Sequence, residues 1–162
     1  MSVNKYKPHL YVIPEDDADR QIADGFVLHP SVASRQVQVM EPAGGWSRVL
    51  ETFKEEYLPL LQENLQTYVV LLIDFDGNPD ERREHFKSQI PDAIRNRVFV
   101  IGPRERPEAL RQAINKGYEA IGSSLAADCD NDRVEVWSHD HLQHNEVERL
   151  GLIQAVKPFL FN

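Results

Sequence analysis

Two periods alternate along the 162-residue chain. Short runs dense in β-branched and aromatic residues occur at 9–14, 36–40, 68–73 and 97–101, each bounded by Pro, Gly or acidic residues. Their length and composition predict strands. Between them, apolar residues recur every three or four positions. Ile22, Ala23, Phe26 and Val27 give one apolar face to a helix over 15–28. Val49, Leu50, Phe53, Tyr57, Leu60 and Leu61 do the same for a long helix over 46–64. Asn78-Pro79-Asp80-Glu81 carries a capping residue, a proline for the first turn and an acid at the capping-box position, and so predicts a helix start. Further helices are predicted over 107–114 and 118–127, the second interrupted by Gly122. Residues 133–137 fit a short strand or an extended loop. The tail from Asp140 reads as helical up to Pro158, with Ser138 or Asp140 as its cap.

Strand and helix in alternation imply right-handed crossovers and a parallel sheet covered on both faces. The expected architecture is a three-layer, Rossmann-like α/β domain over 1–162. It has a mostly parallel four-stranded sheet and a helical C-terminal extension over 118–162. Such a sheet places the tips of its first and third strands on one edge, where ligands of open α/β sheets bind.

Composition narrows the classes. Hydrophobic residues at 41% and charged residues at 27% are ordinary for a water-soluble globular chain. No apolar run reaches the roughly 18 residues that cross a bilayer, and the first residues lack a signal-peptide core. A lone cysteine, Cys129, rules out an intrachain disulfide or a multi-cysteine zinc site. Acids on both sides of it argue against a reactive thiol. A cytoplasmic location is the resulting expectation. The net charge of −8 disfavours bulk coating of nucleic acid. Between Arg82 and Lys116, however, nine Lys and Arg face four acids. Such a segment beside an acidic centre could hold a polyanion.

The chemistry concentrates where the third strand ends. Six uncharged residues, Tyr68 to Ile73, run into Asp74-Phe75-Asp76-Gly77. With Glu15 at the tip of the first strand, Asp74 and Asp76 make a set of hard oxygen ligands suited to magnesium and phosphate oxygens. These residues resemble the Toprim domain, the catalytic module of type IA and type II topoisomerases, bacterial primases and several nucleases. That family has a Glu after its first strand and an Asp-x-Asp ending a later one. Glu15 matches the former and Asp74 and Asp76 the latter, over roughly residues 9–115. Asp16 stands where the family usually has Gly, so Asp16 or Asp17 are substitutes for the Glu15 ligand. The resemblance implies a Toprim-like fold and magnesium-dependent phosphodiester or phosphoryl-transfer chemistry on nucleic acid or another phosphate-bearing ligand. In it, Asp74 and Asp76 hold the metal and Glu15 is ligand or general base. On charge grounds, Arg82, Arg83, Arg104 and Arg106 are candidates for phosphate contact. A non-enzymatic binding or assembly protein that kept the fold is the competing expectation.

Asp74-Phe-Asp-Gly also looks like the first motif of haloacid dehalogenase-like phosphatases, with Lys116 and the acids of 128–132 mimicking later motifs. That motif normally follows the first strand, whereas two strand–helix units precede it here. A second cluster, His139, His141 and His144, could bind a transition metal or supply an acid or base, or could simply sit on the surface. Gly44-Gly45 could cradle a phosphate at a helix start. Trp46 and Trp137 read as packing residues.

Overall fold

The computed structural model describes residues 2–162. Its four strands, β1 (His9–Pro14), β2 (Val37–Val39), β3 (Thr67–Leu72) and β4 (Val98–Ile101), form one all-parallel sheet in the order β2-β1-β3-β4. The expected α/β three-layer, Rossmann-like architecture is the one observed. β1 and β3 pair over their whole lengths, from His9 beside Thr67 to Pro14 beside Leu72.

Alternation along each strand divides the apolar residues between two cores. Leu10, Val12, Val70, Leu72, Phe99 and Ile101 face one layer, made of α1 (Asp17–Val27), α5 (Pro107–Ile114), α6 (Tyr118–Asp130) and α7 (Glu146–Leu160). Tyr11, Ile13, Val69, Leu71, Ile73, Val98 and Val100 face the other, made of α2 (Trp46–Thr52), α3 (Leu58–Glu63) and α4 (Pro79–Ser88). Strands buried on both faces are why these segments read as continuous apolar runs. Among the described residues, no helix is long and apolar enough to cross a membrane.

Several elements differ from expectation for local reasons. The long helix over 46–64 is a helix–π-turn–helix, with the π-turn at Phe53–Tyr57. Pro59 lacks the N–H that an α-helix needs there, and the Leu58 amide reaches back to Phe53 O. A wider turn absorbs the missing donor without ending the helix. Residues 133–137 form no strand: 133 and 134 are loop and 135–137 a turn, where Asp128 Oδ2 accepts the amides of Val136 and Trp137 at 2.7 and 3.4 Å. The last helix begins at Glu146 after a short 3-10 turn, Gln143–Asn145, and so is not capped by Ser138 or Asp140. It runs through Pro158 to Leu160. Asn78 holds the cap position of α4, with Pro79 beginning the helix, but its side chain turns to Asp76 O.

Gly122 does not interrupt α6. It lets α6 approach α1: a Cβ there would lie 1.9 Å from Ile22 O, and one on Gly25 would lie 2.0 Å from Glu119 O. The two helices therefore meet backbone to backbone.

The outer edge of β4 is bonded by side chains. Val100 N donates to Glu148 Oε1 at 2.8 Å, Gly102 N to Asn145 Oδ1 at 3.2 Å, and Lys87 Nζ to Val98 O at 3.3 Å. The segment after residue 117 thus supplies part of one cover of the sheet, α6 and α7, and much of its edge.

Candidate functional site

The strand order decides where a site forms. From β1 the chain crosses to β2 on one side, and from β3 it crosses to β4 on the other. The crevice between the tips of β1 and β3 is therefore a topological switch point. Glu15, Asp16, Asp74 and Asp76 all emerge there.

Glu15 is half-buried, and its Oε1 accepts the Asp74 amide at 2.9 Å. Asp16 caps α1 by accepting the Asp19 amide at 2.9 Å. That capped turn points Asp19 inward, where it is fully buried. Asp16, Asp19 and Asp74 each offer a carboxylate oxygen, and these oxygens all lie within 4.8 Å of one another. Both oxygens of Asp19 and Oδ1 of Asp74 are buried and have no hydrogen-bond partner. Burial is the main cause that raises the pKa of both Asp19 and Asp74 well above the usual range; Asp74 and Asp16 raise Asp19 further, whereas Asp74 is lowered by its contact with Asp19 and raised by Glu15 and Asp16. Like charges packed in low dielectric without a cation require a proton on one of them.

Asp76 is outside this trio. Its φ of 49° starts a left-handed turn completed by Gly77, which turns its carboxylate to solvent. There it pairs with Arg82, Nη1 to Oδ2 at 2.7 Å. The same Nη1 donates to Asp74 O at 3.0 Å, and the guanidinium lies 4.5 Å over the Trp46 ring. Burial raises the Glu15 pKa as well, opposed by the Asp74 amide and supplemented by Asp76 and Asp16. Asp17, the other substitute for Glu15, is exposed and pairs with Arg20 at 2.7 Å.

Of the candidate phosphate contacts, Arg82 borders the acids directly. Arg83 lies 5.0 Å over the Phe75 ring, with Nε and Nη2 buried and unpartnered. Arg104 follows β4, and its amide donates to His141 O at 2.9 Å. Arg106 is exposed at the cap of α5. Gly44 and Gly45 both take positive φ and donate their amides to Glu15 O, at 2.9 and 3.3 Å, so the Gly-Gly turn anchors the Glu15 backbone.

The histidine segment is docked at the end of β4. His144 Nε2 lies 2.8 Å from Gly102 O, and its ring meets Phe75 edge-on at 5.1 Å. Burial lowers its pKa to about 4, against the Gly102 hydrogen bond. His139 Nδ1 accepts the His141 amide at 3.1 Å. Among the described residues, the carboxylate trio is the cluster with metal-ligand spacing, and none of these histidines belongs to it.

Lys116 Nζ bonds Ser124 Oγ, and Asp128 holds the 136–137 turn. Among the described residues, neither side chain makes a hydrogen bond to Asp74. Cys129 is buried, and burial pushes its thiol up to about 11. Trp137 packs in the core with its indole N–H on Leu125 O, while Trp46 is half-buried beside Arg82.

Sequence reasoning missed Asp19. A signal was present: Asp19 lies three and four positions before Ile22 and Ala23, on the apolar stripe of α1. An acid on the buried face of an amphipathic helix needs a partner. Compared with known proteins, the chain matches no family model and no curated sequence.

Proposed function

We propose that this protein performs magnesium-dependent phosphodiester or phosphoryl-transfer chemistry on nucleic acid or another polyanion through a Toprim-like acidic site at the β1/β3 switch point. One observation carries the reading: the buried, unpartnered oxygens of Asp19 and Asp74 beside Asp16. A divalent cation is the ligand that would satisfy these oxygens and the charge they carry. The fit is chemical as well as spatial, because three carboxylates form a hard donor set.

Asp16, Asp19 and Asp74 would hold the ion. When bound, magnesium supplies neutralisation of phosphate charge and orientation of an attacking oxygen. The remaining roles belong to the chain. Glu15, held by the Asp74 amide and raised above the usual carboxylate range by burial, is placed to accept a proton at Oε2. Asp76 fixes Arg82, whose guanidinium also grips Asp74 O, so one cation borders the acids without entering them.

Calorimetric titration with Mg²⁺ or Mn²⁺, run beside a plasmid-nicking assay, tests this. Saturable binding at millimolar metal or below, lost in Asp74→Asn, together with nicking that needs metal, is the expected result. No binding by wild type, or unchanged binding in Asp74→Asn, overturns it. Metal-independent retention of oligonucleotide without cleavage would favour the non-enzymatic binding protein.

A further inference from the structure

Between the sheet and the helical layer that holds α1, α6 and α7 lies a cavity of about 90 Å³. Its walls are apolar throughout. The one polar side-chain atom among its lining residues, Trp137 Nε1, donates to Leu125 O at 3.2 Å. Water would find no partner there, and voids of this kind stay dry. On the sheet side the lining runs from Val37 on β2, through Leu10 on β1 and Leu72 on β3, to Ile101 on β4. Three inter-strand steps amount to roughly 14 Å, far more than the diameter of a sphere of that volume. The space is therefore a narrow seam. Of its lining residues only Phe26 and Val27 are half-buried, and the others are buried. The seam thus comes nearest to solvent at the C-terminal end of α1, next to the exposed Leu28.

The walls are held apart. Gly25 and Gly122 bring α1 and α6 into main-chain contact, where an added Cβ would lie 2.0 and 1.9 Å from a carbonyl oxygen. Helices that already touch through their backbones cannot shift further together to fill the space. Trp137 is fixed by Leu125 O, and Leu142 by its carbonyl, which accepts Asn145 Nδ2 at 3.0 Å. From α1, Ala23 offers the seam a single methyl group. Protein interiors are otherwise close-packed, and an apolar void with fixed walls binds an apolar solute of matching shape.

We propose that this seam is a binding site for a slim aliphatic chain, which enters end-on at Phe26 and Val27 and leaves its polar end in solvent. A chain matches the narrow shape, whereas a ring of equal carbon number is too broad for it. A charged or hydrogen-bonding group would have no partner inside. The site is lined by none of the carboxylates, so it stands independently of the metal chemistry.

The isomeric contrast of 1-hexanol with cyclohexanol tests this, since both carry six carbons and one hydroxyl. Protein labelled at its Ile, Leu and Val methyl groups is titrated with each and followed by NMR. Hexanol should give saturable shifts confined to seam methyls, those of Val12, Val70 and Leu72 among them, with a Kd on the order of 1 mM. Cyclohexanol, corrected for its weaker transfer from water, should bind about tenfold or more weakly. Ala23→Leu fills the seam from α1 and should abolish the response. Val70→Ile adds one methylene from the sheet and should weaken it roughly three- to tenfold, which keeps the test should Ala23→Leu unfold. No saturable shift up to about 20 mM hexanol overturns the proposal. So does equal corrected affinity for the ring, or an undiminished response in either folded variant.

Discussion

The Asp74 amide donates to the Glu15 carboxylate across 2.9 Å, joining residues 59 positions apart at the tips of β3 and β1. One oxygen of Glu15 is thereby committed to the backbone, and the other is left for chemistry. Glu15→Gln keeps an acceptor for that amide and removes the base. Its unfolding free energy should stay within about 1 kcal/mol of wild type, while metal-dependent turnover falls by roughly a hundredfold or more. Glu15→Ala should lose both, with about 1–2 kcal/mol of stability gone as the Asp74 amide loses its partner. Denaturant unfolding and initial rates on the same preparations separate the two effects.

Asp19 makes the metal-free protein sensitive to rising pH. Its folded-state pKa lies above the unfolded carboxylate value. The stability tied to its proton is therefore complete below about pH 4 and declines as pH climbs toward the folded value. Asp19→Asn should remove this slope and stabilise the apo protein near pH 8 by about 1–3 kcal/mol. In wild type, millimolar Mg²⁺ should raise the melting temperature more at pH 8 than at pH 5, because the ion competes with that proton. In Asp19→Asn the metal effect should shrink at both. Thermal scans across pH, with and without metal, read all of this. A wild-type profile that rises from pH 6.5 to 8 in EDTA would count against it.

The acid side depends on His144. Gly102 O can only accept, so Nε2 carries the proton and Nδ1 stays bare in a buried position. The folded-state pKa of about 4 lies below the ordinary histidine value of 6.5. Neutral imidazole is favoured by the fold, so stability is intact above pH 6.5 and lost as pH falls toward 4. His144→Gln retains a donor for Gly102 and has nothing to protonate. Its unfolding curve should be flatter than that of wild type between pH 6.5 and 4, which chemical denaturation at half-unit steps would resolve.

Contact between α1 and α6 is set by two glycines. Gly122→Ala would drive a methyl group into Ile22 O, a rigid backbone atom. The helices must separate, and a loss of more than about 2 kcal/mol is expected. Gly117→Ala, where a Cβ meets nothing within 4 Å, is the matched control and should change stability by less than about 1 kcal/mol. Equal melting temperatures for the two variants would contradict this packing.

The sheet was legible from sequence because a parallel strand buried on both faces must be apolar throughout, as Val69 to Ile73 are. The edge on which the site forms was legible for the same reason, since strand alternation fixes which tips lie together. What stayed hidden were long-range substitutions for local rules. The π-turn answers Pro59, the turn at 133–137 answers Asp128, and the start of α7 is set by Asn145 reaching Gly102. In the site, Glu15, Asp16 and Asp74 follow directly from strand ends. Asp19 is one helical turn away: its place on the apolar stripe of α1 marks it as an acid in need of a partner, but that the partner is Asp74 follows only from the capped turn. The exposed position of Asp76 follows from a left-handed residue, which an Asp before a Gly permits but does not require.

The side chains along β4 have a consequence for how the protein meets other chains. Lys87, Asn145 and Glu148 occupy backbone groups that an incoming strand would need. Recruitment by β-augmentation is blocked on that flank, as is templated growth of a fibril. The opposite flank is β2, three residues long, too short a rail for stable docking of another strand. Assembly with a partner is thereby steered away from strand exchange and toward the crevice and helix surfaces, and a destabilised α7 would be the event that reopens the closed flank.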